Sequence, residues 1–168
     1  MKRHQHKIVT GLLILLLIGW MGRSHLRNLF PPSLKFYSQT LITLDGRQPI
    51  KLSDFKGKTL IVCCYQTWCT DCARETPGLN QLASHLDSTK FAVIYISDED
   101  TLKEIAFRQR FASDKILFAH TSKNLSDFGI TVFPTTYLLN KNGAVIKTKL
   151  EGYDWLAEEA TIKKIIAE

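Results

Sequence analysis

The stretch Lys58-Thr59-Leu60-Ile61-Val62-Cys63-Cys64-Tyr65-Gln66-Thr67-Trp68-Cys69-Thr70-Asp71-Cys72 decides the reading of the chain. Its first half is continuously apolar and rich in β-branched residues, the pattern of a central strand buried on both faces. Its second half breaks that pattern and opens a helix near Cys69 that runs to about Leu86, with Pro77 inside it as an expected kink. Two cysteines three residues apart at a helix start lie on one face, close enough to pair. The first sulfur sits over unpaired helix N–H groups, whose partial positive charge favours thiolate. The second, one turn further in, is better shielded and suits a resolving thiol.

Three plainer readings compete with redox chemistry. A zinc half-site needs a second Cys or His pair. Cys63 and Cys64 are adjacent on a strand and point to opposite faces, and His85 and His120 have no ligand spacing. A purely structural disulfide at this spacing closes almost no loop and adds little stability. A chance pair is the third. Redox chemistry is the reading carried forward, with no metal and no diffusible cofactor.

Outward from this core the pattern alternates strands and helices. Phe36–Thr43 meets the Asp45-Gly46 turn before a short strand at Pro49–Leu52. Phe91–Ile96 is a second buried strand, and Asp98–Phe111 reads as a helix with Asp98, Glu99 and Asp100 at its positive end. Ile116–Ala119 is a short strand and Ser122–Phe128 one or two helical turns. Thr135–Leu139 and Ala144–Leu150 flank a second hairpin signal, Asn142-Gly143, and Trp155–Ala167 closes the chain as a helix. The sum is an α/β fold with a mixed central sheet flanked by helices. His120 and the acidic run 98–100 read as a loop residue and helix caps.

The chain has 168 residues, is 45% hydrophobic and 23% charged, and holds four cysteines. That composition excludes a disordered chain and a disulfide scaffold, and no 20–50-residue period points to a solenoid. Of the net charge of +6, all lies in the first 35 residues, where Lys2, Arg3, Lys7, Arg23, Arg27 and Lys35 meet no acid. The remainder is balanced, so the basic pI of 9.2 gives the body no reason to bind nucleic acid.

The basic charges flank the uncharged run Ile8–Met21. As a helix this run spans roughly 21 Å, short of the roughly 30 Å hydrocarbon core. Residues 1–24 therefore read as an N-terminal signal anchor; the alternatives are a cleaved signal peptide, for which Gly22-Arg23-Ser24 is only a weak cleavage match, and a buried helix of the domain, for which the run lacks a polar face. Trp20 suits an interface. Residues 25–35, with Pro31-Pro32, read as a stiff linker to a domain over 36–168, placed outside the cytoplasm, periplasmic and membrane-tethered.

Thr67-Trp68-Cys69-Thr70-Asp71-Cys72 followed by Glu75-Thr76-Pro77 resembles the active-site run of the thioredoxin superfamily, closest to membrane-anchored, extracytoplasmic TlpA-like thiol–disulfide oxidoreductases. Leu52–Lys58 and the run Val132–Leu139 are similar to that group as well, so the resemblance covers about Phe36–Glu168. It implies a thioredoxin-like fold with Cys69 as nucleophile and Cys72 as resolving thiol. It further implies that Trp68 flanks the site, that Pro134 is cis, and that the Phe133 backbone pairs with an extended substrate segment. Glu75 stands where the family often carries a glutamate that handles protons for the buried thiol, and a solvated helix glutamate is the plainer alternative.

Two departures stand out. The residues between the cysteines are Thr-Asp, with no cation to stabilise the reduced state, which leans the reading to a reductant. Cys63 stands where cytosolic thioredoxins have a buried acid, and reads as a small apolar core residue facing the active-site side, with a third-thiol role as the sharper alternative. The expected partners are cysteine-containing exported proteins and a membrane thiol or electron donor, as in cytochrome c biogenesis, with the chain a monomer. A non-redox binding module for exported chains, a thiol peroxidase and a copper chaperone are the rival functions.

Overall fold

The computed structural model describes Leu34 and residues 37–168. The anchor expected over 1–24 lies outside the described residues, as does the linker over 25–35 apart from Leu34. Among the described residues no helix is long and apolar enough to cross a membrane.

Seven strands form one mixed sheet: β1 (Leu41–Thr43), β2 (Pro49–Ile50), β3 (Thr59–Cys64), β4 (Phe91–Ser97), β5 (Ile116–His120), β6 (Thr135–Leu139) and β7 (Val145–Leu150). Their order is β2-β1-β5-β4-β3-β6-β7. The centre is parallel, with β3 beside β4 and β4 beside β5, while β6 joins β3 antiparallel and β7 joins β6 antiparallel. The parallel steps need crossovers, supplied by helices α1 (Thr70–His85) and α2 (Thr101–Phe111). Helix α3 (Glu159–Ala167) ends the chain. This is the thioredoxin-like α/β fold.

All six residues of β3 are buried, as a strand covered on both faces requires. Alternation divides them between two cores. Ile61 and Cys63 pack with Leu79 and Leu82 of α1, Phe107 of α2 and Ile162 of α3. Leu60, Val62 and Cys64 pack on the other face with Leu52, Leu125 and Phe128, which come from 3-10 turns at Leu52–Phe55 and Leu125–Phe128. Cys63 and Cys64 thus face opposite layers, and Cys63 shares the layer of Cys69 and Cys72.

Several boundaries differ from expectation. The first strand begins only at Leu41, and Leu52 belongs to a 3-10 turn whose Asp54 carboxylate accepts the Lys51 N–H at 2.7 Å. Both hairpins form, Gly143 taking φ +81° in the second. Helix α2 starts at Thr101 rather than Asp98, because Asp100 is its cap and accepts the Leu102 N–H at 2.9 Å. The closing helix starts at Glu159, after a 3-10 turn at Leu156–Glu158, and Trp155 is buried ahead of both.

A dithiol site at the start of helix α1

Cys69 and Cys72 are joined in a disulfide with Cα atoms 5.3 Å apart. Cys69 caps α1 from an extended conformation (φ −79°, ψ 112°), and its Sγ accepts the Cys72 N–H at 3.1 Å. An N–H donated to sulfur at a helix N-terminus stabilises developing thiolate charge. Cys69 is 6% exposed and Cys72 wholly buried, so Cys69 is the more accessible of the two.

The approach to Cys69 is held from strand β4. Asp98 Oδ1 accepts the Gln66 side-chain amide at 2.6 Å, and Glu99 Oε2 accepts the Thr67 backbone N–H. The other Asp98 oxygen accepts the Leu125 N–H at 2.7 Å. These acids do not extend α2. They tie the loop that carries Trp68 and Cys69 to the end of the neighbouring strand.

The indole of Trp68 is 70% exposed and meets Phe133 edge-on with centroids 6.0 Å apart. The Phe133-Pro134 bond is cis, and Pro134 is buried while Phe133 is half-buried. Trp68, Phe133 and the cysteine pair thus belong to one face of the domain.

Glu75, one turn after Cys72, is not solvated: it is 6% exposed. Its Oε1 accepts the Trp155 indole N–H and the Thr136 hydroxyl, the latter at 3.3 Å, while Oε2 is buried without a hydrogen-bond partner among the described residues. Burial pushes its pKa up to about 8, against the pull of the two donors.

Beneath the pair, Cys63 is a free, buried thiol whose pKa burial raises well above the ordinary value, with Glu75 adding to the rise. Its side-chain partners are Thr136 and Tyr95. The Tyr95 hydroxyl meets that of Thr76 at 3.1 Å, and Thr76 donates to the Cys72 carbonyl at 2.7 Å. Asp71 pairs with Arg74 at 2.9 Å in solvent, so a cation does reach the acid between the cysteines. A cleft of about 400 Å³ beside the site is lined by Asp71, Arg74, Glu75, Gly152, Tyr153 and Trp155.

Sequence reasoning missed Trp155, whose link to Glu75 spans 80 residues. It also misplaced His120, which is the last residue of β5 and pairs with buried Glu104, rather than lying in a loop.

A sequence model of the AhpC/TSA family matches residues 34–148. The thiol-disulfide oxidoreductase ResA of Geobacillus thermodenitrificans is 28% identical, covering 88% of each chain. The thioredoxin-like protein YneN of Bacillus subtilis is 25% identical over 83% of this chain and 86% of its own. Among solved structures, a thiol:disulfide interchange protein described as a putative DsbE from Chlorobium tepidum superposes with TM-score 0.63 at 20% identity, covering 76% of this chain and 89% of that one. The thioredoxin domain of a thiol-disulfide oxidoreductase from Bacteroides vulgatus gives 0.65 at 23% identity, over 80% and 99%. At those identities the likeness of the structures is one of fold.

Proposed function

We propose a reductive role for this chain, which belongs to the AhpC/TSA family and is a thiol–disulfide oxidoreductase of thioredoxin-like fold. The observation that carries the reading is the Cys69–Cys72 pair at the start of α1, with Cys69 the more exposed of the two and Cys72 wholly buried.

In the forward step the Cys69 thiolate attacks one sulfur of a substrate disulfide, whose partner sulfur leaves as thiolate and takes a proton. Cys72 then passes its proton to the ionised form of Glu75, which becomes the neutral acid, and the Cys72 thiolate attacks Cys69 Sγ and expels the second substrate thiolate. Two electrons pass from the pair to the substrate, leaving the Cys69–Cys72 disulfide. Trp68 and the Phe133-Pro134 edge receive the substrate segment, the exposed indole offering a flat apolar surface.

The substrates of this reading are cysteine-containing exported proteins, the apocytochromes of cytochrome c biogenesis among them. The basic leader and apolar run of residues 1–24 support a TlpA-like chain anchored by its N-terminus with a periplasmic domain. Electrons return from a membrane thiol donor, and the chain works as a monomer.

The test is a redox titration of the full-length chain together with trapping by Cys72→Ser. A potential near or below about −230 mV and a mixed disulfide between Cys69 and a substrate cysteine support the reading. A potential near the roughly −120 mV of strong oxidants makes the chain a disulfide donor instead. Substrate capture that survives loss of both cysteines favours a non-redox binding module, and peroxide consumption favours a peroxidase.

A further inference from the structure

The two oxygens of Glu75 stand in different surroundings. Oε1 accepts from both the Trp155 indole and the Thr136 hydroxyl. Oε2 is equally buried and has no hydrogen-bond partner among the described residues. An oxygen already accepting two donors is the poorer place for a proton, so the neutral acid carries its hydrogen on the other.

We propose that Trp155, seconded by Thr136, is a positioning residue that pins Oε1 and makes Oε2 the atom through which Glu75 takes and releases the Cys72 proton. This rests on the proton-carrying role of Glu75 given above. The indole is itself fixed. It is 1% exposed and meets Tyr153 edge-on at 5.1 Å, and the Tyr153 hydroxyl bonds Glu158, which Lys147 also holds at 2.7 Å. The segment after β7 thereby reaches the acid on α1 across 80 residues.

The donors act on one protonation state. A hydrogen bond to the carboxylate favours the charged form, opposing the burial that raises the Glu75 pKa to about 8. The other titratable and charged groups around Glu75 are Asp71 and Arg74 on α1, Cys63 on β3, Tyr95 on β4, and Glu151, Tyr153 and Asp154 after β7. Burial holds Cys63 and Tyr95 neutral well beyond their usual values.

The experiment follows the Trp155 indole proton by NMR in the oxidised full-length chain between pH 6 and 10. It is paired with the pH profile of disulfide exchange in Trp155→Phe, Thr136→Val and Thr136→Ser. The indole signal is expected to move with a midpoint near pH 8 and to stop moving in Glu75→Gln. Trp155→Phe should raise the midpoint of exchange by about one pH unit, a tenfold change in the protonation equilibrium. Thr136→Val should raise it less, and Thr136→Ser should restore it. A structural role alone would lower stability and leave the midpoint in place, and that result, or an indole signal that ignores Glu75, overturns the proposal. If Trp155→Phe fails to fold, the indole titration of the native chain against Glu75→Gln decides alone. Absence of exchange in the native chain sinks the redox reading, while the indole titration still reports on the clamp.

Discussion

His120 Nδ1 lies 3.0 Å from Oε1 of Glu104, joining the end of β5 to the first turn of α2. The Glu104 side chain is wholly buried, while His120 is 23% exposed. Burial raises the Glu104 pKa and the imidazole opposes that rise, so His120 relieves the cost of a buried carboxyl. Replacing His120 with alanine removes that partner and should cost about 2–3 kcal/mol at neutral pH by urea denaturation. Glu104→Gln should cost less. The raised pKa gives stability that is full below the unfolded carboxylate value and falls as pH rises through the folded one. His120 lowers the Glu104 pKa, so His120→Ala should carry that fall on to higher pH, and an unchanged pH profile would refute the pairing's role.

The loop before the dithiol gives a second expectation. Glu99→Ala leaves the half-buried Thr67 N–H without its carboxylate acceptor. The loss should cost about 1–3 kcal/mol and speed hydrogen exchange at the Thr67 amide. Glu99→Gln keeps an acceptor oxygen and should restore most of the protection.

Trp68 should behave in the opposite way. Among the described residues its exposed ring meets Phe133 edge-on. Trp68→Ala should therefore change stability by no more than about 0.5 kcal/mol. In a disulfide-exchange assay the loss should appear as a raised KM for a protein substrate, with the rate against a small dithiol reagent little changed.

What could be read from the chain beforehand was whatever local chemistry enforces. The run Thr59–Cys64 has no polar face to offer, so it had to be a central strand. Cys69 and Cys72 sit at a spacing that only a helix start brings together usefully. Asp45-Gly46 and Asn142-Gly143 supply the positive φ that tight hairpins need, and both hairpins formed. Asp98 and Glu99 misled, because an acid before a helix looks the same whether it caps the helix or bonds a neighbouring loop. Only the strand register, which sets Cys64 beside Ile96, brings those acids to Gln66 and Thr67. The Trp155 contact had no local signal at all: an indole ahead of an amphipathic helix reads as ordinary core.

Glu75 gives the prediction with the largest expected effect. Its pKa is raised from the ordinary carboxylate value to about 8, first by burial, so the native state binds a proton that the unfolded chain has released. Stability is then full below about pH 4.5, the unfolded value, and falls as pH rises towards about 8, at roughly 1.4 kcal/mol per unit. Above that the loss is complete and the curve levels. Glu75→Gln carries no titrating group and keeps an oxygen for the Trp155 and Thr136 donors. The variant should match the native chain near pH 5 and exceed it by a few kcal/mol at pH 9, measured on the oxidised protein by guanidinium denaturation. Parallel curves for the two proteins across that range would mean that the carboxyl is ionised without penalty, and the buried-acid description of the site would fall with it.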